Sequence, residues 1–190
     1  MTKSGLRKIY LKKQKLLSGV ERIDKSLQIA ANFFDYFSLA KVQFLHAFLP
    51  IEKNGEIDTL AVINRLWCDF PKIATSVSRV DFETMTLESL KFDSTTKLIA
   101  NRWHIFEPTG TETVEVEKID AVLVPLLCFD ERGFRVGYGK GFYDKFLMNC
   151  RADCLKIGLS YFAPVNEISD VREFDMKLDY CVTPQKVVEF

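Results

Sequence analysis

The chain has 190 residues, enough for one domain with a sizeable core, and its 26 basic and 26 acidic side chains balance, which argues against a nucleic-acid-binding surface built on a basic excess. Five cysteines with no Cys-x-x-Cys pair, and only two histidines, argue against a disulfide framework, a structural zinc site or a histidine-based metal site, and point to a reducing cytosol. No apolar run is long enough to span a membrane, and the basic N-terminus lacks the apolar stretch of a secretory signal.

Residues 3 to 18 read as a first helix, with Leu6, Ile9, Tyr10, Leu16 and Leu17 near helical spacing and Lys3, Arg7, Lys8, Lys12, Lys13 and Lys15 carrying charge. Lys3 and Arg7 are four apart and share a face, so the pair is either a solvated basic face or a grip on one polyphosphate. A second helix is expected from Ser18 or Val20 to Phe37, with Ile23, Leu27, Ala30, Ala31, Phe34 and Phe37 on its core face. Val42 to Leu49 reads as a strand that Pro50 ends. A third helix is predicted over Glu56 to Trp67, burying Leu60, Ile63, Leu66 and Trp67; Glu56 stands at its start, where the helix dipole favours an acid. Lys72 to Val80 and Phe82 to Leu87 read as strands, with Met85 in the core or a pocket wall. Trp103 is suited either to stacking on a flat heterocycle or to packing at a domain edge, and His104 has no acid or cysteine beside it. Thr109 to Glu117 is polar and is expected to be an exposed loop.

The next stretch, Ala121 to Leu147, organises the rest. An apolar run over Ala121 to Leu127 is followed by a turn at Asp130-Glu131-Arg132-Gly133, then by Gly137, Gly139 and Gly141 at alternate positions, with Lys140 among them and Arg135 upstream. Glycine lets a backbone curl and present its N–H groups, and amides with cations at the start of a helix bind phosphate. The loop is neither a Walker loop, because Gly141 follows Lys140 where a hydroxyl should be, nor a dinucleotide loop, because the spacing is Gly-x-Gly-x-Gly and lies far from the apolar run. A ligand-free glycine turn is the plain alternative. A helix over Tyr143 to Asn149 and a strand over Cys154 to Ser160 follow. Val165 to Ser169 and Arg172 to Lys177 read as irregular connections, and Tyr180 to Thr183 as a closing strand. Strands alternating with helices predict an α/β fold of one domain over residues 1–190: a three-layer α/β/α arrangement with a mostly parallel central sheet, Rossmann-like, and the glycine loop beyond the carboxyl ends of its strands.

The order and spacing of Pro125, Phe129-Asp130, Gly133, Arg135, Gly137, Gly139, Gly141 and Tyr143-Asp144 resemble the signature of the 5-formyltetrahydrofolate cyclo-ligases, also called methenyltetrahydrofolate synthetases. Lys3-x-x-x-Arg7, Glu56-Ile57-Asp58-Thr59 and Asp175-Met176-Lys177-Leu178-Asp179 extend the likeness across nearly the whole chain. Leu126, Cys128 and Phe142 depart from the usual glycine, small residue and tyrosine, and Phe142 removes a hydroxyl. The resemblance implies an enzyme that cyclises 5-formyltetrahydrofolate to 5,10-methenyltetrahydrofolate with ATP and magnesium, giving ADP and phosphate, in a cytoplasmic monomer without nucleic-acid or membrane partners. It assigns ATP to Lys3, Arg7, Arg135, Gly137, Tyr138, Gly139, Lys140, Gly141, Phe142 and Tyr143, with Arg135 and Lys140 as the catalytic cations. The folate falls to Leu49, Glu56 and Trp103 together with Tyr138, Gly139, Lys140, Gly141 and Phe142. Magnesium falls to Asp144 and Asp175, with Asp179 a near neighbour of the same type. A phosphate-handling isomerase or transferase of similar fold, and a non-catalytic nucleotide-binding module, are the competing readings.

Overall fold

Ala121–Pro125 (β6) has alternating side chains that serve two different cores. Ala121 and Leu123 join one apolar cluster, while Val122 and Val124 join another. A strand that is apolar on both faces belongs in the interior of a sheet covered on both sides, and the computed structural model, which describes residues 1–81, 83–101 and 105–190, places it there.

Among the described residues the main sheet has seven strands in the order β11-β10-β9-β6-β1-β2-β3. These are β1 (Phe44–Ala47), β2 (Ala74–Asp81), β3 (Thr86–Lys91), β6, β9 (Leu155–Leu159), β10 (Tyr180–Val182) and β11 (Val187–Glu189). β2, β1, β6, β9 and β10 run parallel, and antiparallel β3 and β11 close the two edges. Helices α2 (Gly19–Tyr36) and α3 (Leu60–Asp69) cover one face through Ile29, Phe33, Ile63 and Leu66; α4 (Phe142–Met148) covers the other through Phe146 and Leu147. This is the expected three-layer mixed α/β fold. β1 leads through α3 to β2 on one side, whereas β6 and β9 extend the sheet on the other, so the strand order reverses between β1 and β6. Such a switch opens a crevice beyond the carboxyl ends of the strands.

Helix α1 (Lys3–Leu16) lies off the main sheet. Leu6 and Tyr10 pack against Leu127, Cys128 and Val136, in and beside a small hairpin formed by β7 (Cys128–Phe129) and β8 (Arg135–Val136). The expected long loop after β6 therefore contains this hairpin. Its turn is built on Asp130, which is fully buried and whose carboxylate accepts the N–H groups of Arg132, Phe134 and Ile168 and the Arg132 guanidinium. Another hairpin, β4 (Leu98–Ala100) with β5 (Phe106–Pro108), is also absent from the sequence reading.

Three expectations are corrected. The third helix begins at Leu60, not at Glu56; a 3-10 turn over Glu52–Asn54 and left-handed Gly55 hold Glu56 in a loop instead. The strand expected at Phe82–Leu87 starts at Thr86, because the Asp81 carboxylate accepts the N–H groups of Glu83 and Thr84 and makes a turn there. The stretch at Thr109–Glu117 is largely exposed, as expected, and is tied to the β3 edge: Val114 N–H donates to the Ser89 carbonyl and Lys91 N–H to that of Glu112. On α2 the buried stripe is Ser26, Ile29, Ala30 and Phe33, while Ile23 and Leu27 face solvent. No described helix is long and apolar enough to cross a membrane.

Candidate functional site

Leu49, just beyond β1, and Pro125, at the end of β6, both line a cavity of about 850 Å³. Its other walls come from the start of α1, the loop before α3, the outer parts of β2 and β3, the glycine loop with α4, and the segment after β9. The cavity thus sits at the crevice between β1 and β6.

The glycine loop bends around α1. Gly139 has φ 97°, and Gly141, at φ 72°, precedes the first turn of α4. A β-carbon on Gly139 would stand 3.2 Å from the Arg7 guanidinium carbon, so the loop and Arg7 are fitted to each other. Arg7 Nε donates to the Gly137 carbonyl at 2.9 Å. One turn earlier, the Lys3 ammonium pairs with Asp175, and the Lys3 N–H donates to Asp170 at 2.6 Å. The shared face of Lys3 and Arg7 is therefore turned into the cavity, not into solvent.

Arg135 is buried. Its Nη2 donates to Asp144 Oδ1 at 2.8 Å and its Nη1 to the Met176 carbonyl at 2.6 Å, while Met176 N–H also donates to Asp144 Oδ1 at 3.1 Å. Burial lowers the Arg135 pKa, and the Asp144 charge opposes that. Gly141 occupies the cap position of α4, and no side chain caps the helix. Lys140 lines the cavity, is exposed, and forms no ion pair among the described residues. Asp175 also lines the cavity. Asp179 does not: it accepts from the N–H and ammonium of Lys156, at the amino end of β9 and so at the opposite end of the sheet. Asp144 Oδ2 and Asp175 Oδ1 accept no hydrogen bond from the described residues.

Glu56 faces the same cavity as Lys3, Arg7 and Lys140. Its carboxylate accepts Ile51 N–H at 3.0 Å and Asn54 Nδ2 at 3.2 Å. Burial is the largest influence and pushes its pKa up, against its hydrogen bonds. Leu49, Phe142, Tyr138 and Tyr143 line the cavity as well; Trp103 lies outside the described residues.

The sequence reading did not identify Ser78, Val80, Leu87, Met148 and Phe174 as wall residues. They come from separate elements and carry no local motif. It also missed what stands behind Tyr143. Its hydroxyl is 2.7 Å from Ser78 Oγ, which is 2.9 Å from His46 Nε2; His46 Nδ1 meets Ser76 and Ser89. His46 is fully buried against the Phe146 ring, and burial drops its pKa to about 3, so it is a neutral core histidine.

A mostly parallel sheet with a glycine loop, cations and two carboxylates at its switch point is the α/β architecture suited to a phosphorylated ligand beside a second, partly apolar one. The sequence profile of the 5-formyltetrahydrofolate cyclo-ligase family matches residues 1–184, and the chain belongs to that family. It is accordingly a ligase of folate metabolism. It is 28% identical over 181 residues to the 5-formyltetrahydrofolate cyclo-ligase of Escherichia coli, covering 94% of this chain and 98% of the relative. It is 30% identical over 190 residues to that of Mycoplasma pneumoniae, covering 97% and 100%. The solved structure of Aquifex aeolicus 5,10-methenyltetrahydrofolate synthetase superposes with a TM-score of 0.82 at 28% identity, over 100% of this chain and 93% of that one. The Mycoplasma pneumoniae synthetase structure, at 24% identity and a TM-score of 0.77, shares the fold over 97% and 99%.

Proposed function

We propose that this chain closes 5-formyltetrahydrofolate to 5,10-methenyltetrahydrofolate, with ATP as phosphoryl donor and magnesium as the ion at the phosphates. One observation carries the reading: a single cavity holds Glu56 and the glycine loop with Lys3, Arg7 and Lys140. A carboxylate that accepts paired N–H donors suits the aminopyrimidine edge of a pterin, and cations with loop amides suit a triphosphate.

The formyl carbon on nitrogen is a poor electrophile and its oxygen a poor leaving group. Transfer of the γ-phosphoryl group to that oxygen releases ADP and makes the oxygen leave as phosphate. The folate's nitrogen 10 then attacks the carbon and closes the ring. The protein's part is positioning and charge neutralisation. Lys140, free of an ion pair among the described residues, supplies mobile positive charge. Arg135 donates to Asp144 and to the Met176 carbonyl, and so holds Asp144 in place. Asp144 and Asp175 fit magnesium, each with one carboxylate oxygen open among the described residues, and magnesium takes one or two carboxylates with phosphate oxygens and water. Bound there, the ion would neutralise charge on the β- and γ-phosphates.

The working form is taken as a cytoplasmic monomer, the compartment resting on five unpaired cysteines. The test is formation of the methenyl chromophore by purified protein with 5-formyltetrahydrofolate, ATP and magnesium, and its loss when either ATP or magnesium is omitted. Nucleotide binding without methenyl formation would leave a binding module; turnover of a phosphorylated substrate without ATP would favour the isomerase or transferase reading.

A further inference from the structure

Two ion pairs among the described residues have both partners on the cavity wall, and they differ in kind. Arg135 with Asp144 is fixed: the arginine side chain is 5% exposed, and a second donor of its guanidinium goes to the Met176 carbonyl. Lys3 with Asp175 is anchored at one end only. The lysine backbone is held, because its N–H donates to Asp170 Oδ1 at 2.6 Å. Its ammonium ends a flexible four-carbon stem and has Asp175 Oδ2 as its one partner among the described residues. The carboxylate has support of its own. Arg172 N–H donates to the same oxygen at 2.5 Å, and the next residue, Met176, donates its N–H to Asp144 Oδ1 at 3.1 Å. The ammonium can therefore leave while Asp175 keeps its place beside Asp144.

We infer that Lys3 and Asp175 form an exchange pair: the Lys3 ammonium serves Asp175 as counter-ion until loading, when Asp175 turns to a divalent cation and the ammonium turns to the nucleotide phosphates. This rests on the reading of the cavity as a site for ATP and magnesium, and adds how the two are coupled.

The consequence is a linkage between the two ligands. A polyphosphate arriving alone must draw Lys3 off a carboxylate whose side chain is 16% exposed, leaving that charge without its counter-ion. A divalent cation arriving alone must displace the ammonium, which is left in the same position. When both arrive, each released group is taken up by the other ligand, so the affinity of each rises in the presence of the other. Arg7 offers the contrast. Its Nε donates to the Gly137 carbonyl and not to a carboxylate, so a phosphate that engages Arg7 uncovers no negative charge.

The experiment measures binding without turnover, with no folate and at fixed ionic strength, for wild type, Lys3→Met, Asp175→Asn, their double variant and Arg7→Met. ATP in excess EDTA is titrated by calorimetry, and Mn2+ alone by loss of the free ion's paramagnetic resonance signal; circular dichroism and Tm verify folding. Asp175→Asn is expected to tighten metal-free ATP about threefold or more, because it releases Lys3, and the gain should vanish when Lys3→Met is the background. Lys3→Met should tighten Mn2+ by a similar factor, whereas Arg7→Met should change it less than about twofold. A general change of cavity charge would tighten ATP equally with and without Lys3, and Mn2+ equally in Lys3→Met and Arg7→Met. Either result overturns the inference, as does an Asp175→Asn protein that binds metal-free ATP no better than wild type or a Lys3→Met protein that binds Mn2+ no better. The two single variants read the pair from opposite ends, so one that does not fold leaves the other to decide. If wild type binds both ATP and Mn2+ while the variants lack these shifts, the inference fails alone; if wild type binds neither, the ATP and magnesium reading falls with it.

Discussion

Alanine at each glycine of the loop separates backbone strain from crowding. Gly137 does not have a left-handed φ, and an added β-carbon there meets nothing within 4 Å. Gly141 has φ 72° and open space, so Gly141→Ala meets only the cost of a left-handed residue, roughly 1–2 kcal/mol. Gly139 has φ 97° and the Arg7 guanidinium 3.2 Å away, so Gly139→Ala carries the same backbone cost and also displaces Arg7 from the Gly137 carbonyl. A hydrogen bond to a charged group contributes about 1.5–3 kcal/mol, which places Gly139→Ala well below Gly141→Ala. For a chain of this size each kcal/mol lowers Tm by roughly 2–4 °C. Thermal unfolding without ligands should therefore rank the variants Gly137→Ala near wild type, then Gly141→Ala, then Gly139→Ala. The KM for ATP should rise most in Gly139→Ala, because that variant moves Arg7. A Gly137→Ala variant as unstable as Gly139→Ala would refute the reasoning.

Lys3→Ala and Arg7→Ala are each expected to raise the ATP KM about tenfold or more, with a smaller effect on the folate, since each removes a charge facing the cavity; steady-state kinetics with either substrate varied checks this. Asp144→Asn and Asp175→Asn should lower kcat severely and shift the magnesium dependence, with non-additive losses in the double variant, whereas Asp179→Asn, at the far end of the sheet, should leave the magnesium titration unchanged. His46 adds a pH dependence of stability. Its folded pKa, about 3, lies below the ordinary 6.5, so its contribution is complete above pH 6.5 and is lost as pH falls toward 3, at up to about 1.4 kcal/mol per pH unit. Urea unfolding between pH 7 and 4 should show that slope in the wild type and a shallower one in His46→Gln.

What the sequence determined by itself was whatever a short window can encode. The apolar run of β6, the strand at Leu155–Leu159 and the helical periods of α1 and α2 repeat every two or three to four residues, and those repeats dictate local structure wherever a core receives them. The glycine loop was legible for the same reason: a backbone that must adopt φ 97° and 72° within three residues leaves glycine as its trace. Tertiary structure alone decided which of these pieces meet. Asp175 and Asp179 are chemically alike and four residues apart, yet one pairs with Lys3, 172 positions away, and the other with Lys156 at the opposite end of the sheet. Glu56 looked like a helix-start acid because charge at an N-terminus is a local pattern, but the turn through left-handed Gly55 leaves its carboxylate accepting from Ile51 and Asn54 on the cavity wall. Periodicity reports that an element has an apolar side, although on α2 Ile23 and Leu27 of the expected core face are exposed while Ile29 and Phe33 are buried. It does not report which distant side chain stands opposite, because that depends on strand order and loop closure, and those are settled only when the whole chain packs.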